Sequence, residues 1–119
     1  MSDLPPKCWH IYVVDLEPRV RSKPGKTRPC LAIQPDEAAE AGLTSTVAIP
    51  LTSKILAEDA WPLRVRIRKG ICNLRVDSDL IIDQILAWDN SLFKEDLGII
   101  PEILQQKVKK AIKDFLELH

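Results

Sequence analysis

The chain has 119 residues, 45% hydrophobic and 29% charged, which fits one soluble domain with its own core and excludes a disordered segment. Lysine and arginine total 17 and the acids 17, so net charge alone points to no polyanion. Cys8, Cys30 and Cys72 show no CxxC spacing, so neither a disulfide framework nor a zinc site is indicated, and no apolar run approaches the roughly 18 residues of a membrane span. The opening residues lack the charged start and apolar middle of a signal peptide, and a reduced, cytoplasmic protein is expected.

In chain order, Trp9–Leu16 is aromatic and β-branched on both alternating faces and reads as a buried strand. Glu17–Gly25 holds prolines, a glycine and basic residues, a loop long enough to suggest function. Its end, Pro24-Gly25-Lys26-Thr27, is no phosphate-binding P-loop, because Val20 stands where that motif needs glycine and a strand follows instead of a helix. Lys26–Ile33 then joins the basic loop to an apolar run. Pro35–Gly42 has a cap-like Asp36, helix formers and a closing glycine, which predicts one or two helical turns. Thr46–Leu51 is a strand that Pro50 confines to an edge or an end, with Thr52 and Ser53 at its exit.

Antiparallel pairing of these two runs sets Arg28, at the start of the first, beside Thr52 and Ser53, at the end of the second. A guanidinium fork with hydroxyls beside it can grip a phosphate. A surface arginine next to a strand-ending threonine is the plainer alternative.

Leu63–Arg68 alternates apolar residues with Arg64, Arg66 and Arg68, a cationic rail about 13 Å long. It is either a solvated strand face or a polyanion track. Ten of the 17 positive charges fall in the acid-free blocks Arg19–Arg28 and Arg64–Arg75, so a locally basic surface on a neutral protein is expected. Cys72–Val76 reads as a short strand, and Ser78–Trp88 as the longest one, with Asp83 on the same face as Ile81 and Ile85. A carboxylate there needs a partner or lines a site. Asp89–Phe93 suggests a helical turn. From Pro101 the apolar stripe Leu104, Val108, Ala111, Ile112 and Phe115, bordered by lysines, predicts a helix that covers one side of the sheet. No repeat or domain boundary appears, so residues 1–119 form a single domain. Six or so strands and a closing helix imply a small bent barrel.

Three stretches together resemble one family: Tyr12–Pro18 with Lys26–Ile33, then Thr46–Ser53, then Leu74–Ser78 with Ile82–Ile85. Their order and spacing are similar to those of the MazF/PemK-type toxins. The resemblance implies a mainly β fold, an SH3-like β-barrel (the CcdB/MazF/PemK toxin fold) with a C-terminal α-helix, working as a homodimer in the cytoplasm. It implies an endoribonuclease, an mRNA interferase that cuts single-stranded RNA without ribosome, metal or cofactor. It also implies a cognate antitoxin whose tail occupies the RNA groove.

By position, Arg28 and Thr52 correspond to the catalytic pair. Ser53 supports them, and Asp83 matches the carboxylate that one branch uses as a base, although Ile81 replaces that branch's arginine. Arg19, Arg21, Lys23 and Lys26, with Arg64, Arg66 and Arg68, are the expected RNA-binding residues, and Trp61 or Trp88 could stack a base. His10, with a suitable pKa, is a further candidate base. Trp9, Arg21 and Lys23 depart from the glycines and glutamate usual in the family. A gyrase-inhibiting toxin of the CcdB type, and a relative that binds RNA or antitoxin without cutting, remain as alternatives.

Overall fold

A computed structural model describes residues 4–17 and 26–118. Seven antiparallel strands run in the order β4-β5-β3-β2-β1-β7, with β6 also on β3: β1 His10–Glu17, β2 Lys26–Ala32, β3 Ser45–Thr52, β4 Arg64–Ile67, β5 Ser78–Ile81, β6 Leu86–Asp89 and β7 Phe93–Ile99. Helix α1, Asp36–Glu40, links β2 to β3, and α2, Glu102–Leu116, ends the chain. The sheet bends far enough for its ends to meet: Cys72, in the turn after β4, donates from Sγ to the Gly98 carbonyl of β7 at 3.2 Å. The small barrel with a C-terminal helix is therefore the architecture. Among the described residues no helix is long and apolar enough to cross a membrane.

Alternation along the strands divides the side chains between two faces. Ile11, Leu31, Ile49, Leu51, Val65, Ile67 and Leu80 point inward, and Val108 and Ala111 of α2 close over them. Burying each such aliphatic chain contributes roughly 1.5–3 kcal/mol. On the other face Tyr12, Val14, Cys30, Ala32 and Ala48 form a smaller cluster under Trp88 and Phe93. The lysines of α2 stay in solvent, as its amphipathic stripe predicts.

Several local expectations are corrected. Ser78–Trp88 is not one strand. Leu51 faces Leu80 while Ala48 faces Leu86, so three residues of β3 are matched by six on the opposite side. The excess is a 3₁₀ turn, Ile82–Gln84, which splits the run into β5 and β6 and leaves Asp83 exposed instead of on a shared face with Ile81 and Ile85. Cys72–Val76 is no strand either: Cys72 and Asn73 have φ of 51° and 58°, outside the extended region. Asp36 does not cap α1. Its Oδ1 accepts the Cys8 amide at 2.9 Å and so ties the N-terminal segment to the helix. Helix α2 starts at Glu102 with Pro101 as its N-cap, one residue later than expected. The helical turn at Asp89–Phe93 forms, with Asp89 accepting from the Ser91 amide.

Trp9, where the resemblance implies a glycine, has a φ of 68°, a backbone conformation that glycine adopts at no steric cost. It is held there by its amide on the Ala32 carbonyl (2.7 Å) and by its own carbonyl, which accepts from Ile100 (3.0 Å). Its ring packs on the core, with the Lys109 ammonium 5.7 Å from its centroid.

Candidate active site

The candidate site lies where the β2–β3 ladder ends. That ladder runs through Ala32–Ala48, Leu31–Ile49 and Cys30–Pro50. The next β2 residue, Pro29, lacks the N–H that would extend it. Continuing that register by two residues past its last pair assigns Arg28 to the position across from Thr52, and both are half-buried. Arg28 and the exit of β3 thus fall at the same end of the two strands, beyond the last paired residues. Ser53 follows, exposed to solvent.

The row continues across the barrel. Thr52 faces Asp79 of β5, and Asp79 faces Arg66 of β4, so Arg28, Thr52, Asp79 and Arg66 lie in sequence on four adjacent strands. Asp79 is 1% exposed. Its carboxylate accepts from Arg66 Nε (2.5 Å), Arg64 Nη1 (3.3 Å) and the Leu56 amide (3.1 Å). Arg66 Nη2 donates to the Leu56 carbonyl at 2.8 Å and Arg64 Nη1 to that of Lys54 at 3.4 Å. Beside them, Trp61, Glu58, Asp59 and Lys107 complete the wall of a cavity of about 280 Å³.

Two of the three rail arginines are thus held by a carboxylate and by loop carbonyls, which corrects the expectation of a strand without an acid neighbour. Arg68 remains outward, 75% exposed, with Asp77 3.8 Å away. The sequence pattern singles out Asp83, three residues beyond Leu80, as the carboxylate amid isoleucines, whereas the buried carboxylate is Asp79. The available signal was an acid inside a strand that follows a strand with three arginines.

Arg28 differs from those arginines. Among the described residues its guanidinium makes no hydrogen bond or ion pair, so its donors are open to a ligand. Thr52 Oγ1 accepts the Lys54 amide at 3.1 Å. With an oxygen lone pair so occupied, the hydroxyl hydrogen is left to donate outward. Burial pushes the Cys30 thiol up to about 12, against a smaller downward pull from the Arg28 charge. Cys30 is therefore no nucleophile at neutral pH.

The other expected residues are distributed as follows. Arg19, Arg21 and Lys23 lie outside the described residues, as does the side chain of Lys26. Asp83 makes no hydrogen bond among the described residues. His10 is four residues along β1 from Val14, the partner of Arg28, a separation of about 13 Å by strand rise. Its Nδ1 lies 3.0 Å from Asp96 Oδ1, so it serves the β1–β7 edge. Trp61 donates from Nε1 to Asp114 at 3.0 Å, and Trp88 is half-buried against the outer cluster.

The fold is a small β-barrel closed by a C-terminal helix, and solved structures share it. The MazE–MazF complex (Form-II) from Deinococcus radiodurans superposes with a TM-score of 0.78 at 21% identity, over 98% of this chain and 100% of that one. An endoribonuclease in complex with its cognate antitoxin from a mycobacterial species gives 0.73 at 18%, over 96% and 97%. In sequence, Endoribonuclease MazF of Staphylococcus saprophyticus is 32% identical over 109 residues, covering 92% of this chain and 89% of the relative. Its Staphylococcus epidermidis counterpart is 28% identical over the same span. Residues 7–116 match the family described as PemK-like, MazF-like toxin of type II toxin–antitoxin systems, and the chain belongs to that family.

Proposed function

We propose that this toxin is a sequence-selective, ribosome-independent endoribonuclease of single-stranded RNA, acting in the cytoplasm as a homodimer and silenced by a cognate antitoxin. The single observation that supports the reading is the β2–β3 register, which, continued two residues past Cys30–Pro50, assigns Arg28 and Thr52 to facing positions. One residue brings a cation with open donors, the other a hydroxyl oriented to donate.

In the reaction the RNA's own 2′-hydroxyl attacks the adjacent phosphorus and loses its proton. The P–O5′ bond breaks and O5′ takes up a proton, leaving a 2′,3′-cyclic phosphate and a 5′-hydroxyl end. Because the nucleophile belongs to the substrate, the chain's task is to stabilise negative charge on the phosphoryl oxygens. Arg28 supplies a fixed positive charge with forked donors. Thr52 supplies a second donor, with Ser53 next to it. Asp83, on the exposed turn between β5 and β6, is the remaining carboxylate proposed for proton removal. Arg68, with Arg19, Arg21, Lys23 and Lys26 from the β1–β2 segment, would hold flanking phosphates, which sets affinity more than sequence choice. DNA lacks the 2′-hydroxyl and stays uncut.

The test is to incubate the full chain with single-stranded RNA in excess chelator and analyse the ends. Cyclic-phosphate and 5′-hydroxyl fragments are expected. Cutting that requires an added divalent ion overturns the metal-free reaction, and intact RNA under all conditions overturns the nuclease.

A further inference from the structure

Thr52 Oγ1 accepts the Lys54 amide, which fixes one side of the hydroxyl oxygen, and that amide sits at the start of the loop between β3 and β4. Nothing in the loop's own sequence, Ser53–Trp61, demands that position: it has one bend after another and no regular structure. The groups that hold it come from elsewhere. Asp79 accepts the Leu56 amide, Arg66 donates to the Leu56 carbonyl, and Arg64 bridges from Asp79 to the Lys54 carbonyl. One buried carboxylate therefore organises both arginines and both sides of the loop. It does so from the β5 position directly opposite Thr52. Buried ion pairs contribute little to stability by themselves, and an apolar residue could fill the same space. The specific arrangement here is directed at the loop that sets the Thr52 hydroxyl.

We infer that Asp79 is a positioning residue for the cleavage reaction: through Arg64 and Arg66 it fixes Lys54–Leu56, and the fixed Lys54 amide holds the Thr52 hydroxyl as a donor to the scissile phosphate. The inference rests on the nuclease reading, and its effect passes through Thr52 alone. Loosening the clamp lets the hydroxyl rotate and turns a preset donor into one that must be ordered at each turnover, which lowers kcat and leaves KM nearly unchanged.

The test compares Asp79→Asn and Arg64→Gln in two backgrounds, wild type and Thr52→Ala, by single-turnover cleavage of one RNA and by amide hydrogen exchange. Arg64→Gln keeps the Arg66–Asp79 pair, so it reports even if Asp79→Asn unfolds. In the wild-type background each should lower the cleavage rate about tenfold, the scale of one net hydrogen bond. With Thr52→Ala in place the same changes should cost less than about twofold, since coupled residues are not additive. The Lys54 amide should exchange faster in both variants. Equal losses in the two backgrounds, or an unchanged rate with a deprotected Lys54 amide, overturn the inference. If Thr52→Ala alone cuts as fast as wild type, it is the Thr52 role that fails, and that single mutant identifies the failure separately.

Discussion

Arg28 and Arg66 are both half-buried strand arginines on the outer face of the same barrel, with Thr52 and Asp79 between them in one row of residues. Their surroundings assign them opposite work. Arg66 meets a carboxylate across β5 and a carbonyl from the loop above, so its charge is neutralised within the chain. Arg28 meets Val14 across β1 and lies beyond the last β2–β3 pair on its other side, where no acid stands. The difference teaches that a strand arginine is available to a substrate only where the sheet leaves it without an acidic cross-strand neighbour, and that local charge density does not decide this.

The comparison can be broken most directly by removing each cation in turn. Arg28→Ala, or Thr52→Ala, should lower the cleavage rate at least about a hundredfold while the melting temperature stays close to wild type, the scale of losing a transition-state donor. A fall of less than about tenfold in both would place the chemistry elsewhere. Asp79→Ala should act on folding as well as on the rate. It strands two guanidinium groups, but their side chains are 23% and 32% exposed, so the cost in urea denaturation should be about 2–3 kcal/mol, below that of a fully buried pair. Arg68→Ala removes an exposed contact and should change stability by about 0.5 kcal/mol or less.

A smaller effect concerns pH. Burial alone would raise the Asp96 carboxyl, but hydrogen bonds from His10 and the Gly98 amide, with the charges of His10 and Lys7, hold it below its ordinary 3.8. A lowered folded value stabilises the protein above pH 3.8 and loses that contribution as pH falls through the folded value. Asp96→Asn should therefore lower stability slightly near neutrality and flatten the acid limb of a stability-versus-pH curve, so that variant and wild type converge below the folded value.

Where alternation or helical period was strong, local structure was legible. β1, β2, β3, β4, α1 and α2 form close to where their apolar patterns place them. β7 was missed, because Phe93-Lys94-Glu95-Asp96-Leu97-Gly98-Ile99 has no clean alternation, and its pairing with β1 shifts register twice. Only the partner strand makes it a strand. The split of Ser78–Trp88 was equally hidden, since the apolar run Leu80–Ile82 reads alike whether it continues or turns. In the site, the placement of Arg28 and Thr52 at the same end of two paired strands followed from two apolar runs. The role of Arg64 and Arg66 did not.

The chain's order of residues thus determined most of the strands and the closing helix, which family they belong to, and that an arginine and a threonine fall at the same end of two paired strands. Those outcomes depend on backbone chemistry and short-range periodicity. Only the tertiary structure decided which charges remain open, because neutralising Arg64 and Arg66 requires a carboxylate that β5 carries 13 and 15 residues further along the chain. Cross-strand register, and not proximity in sequence, brought them together.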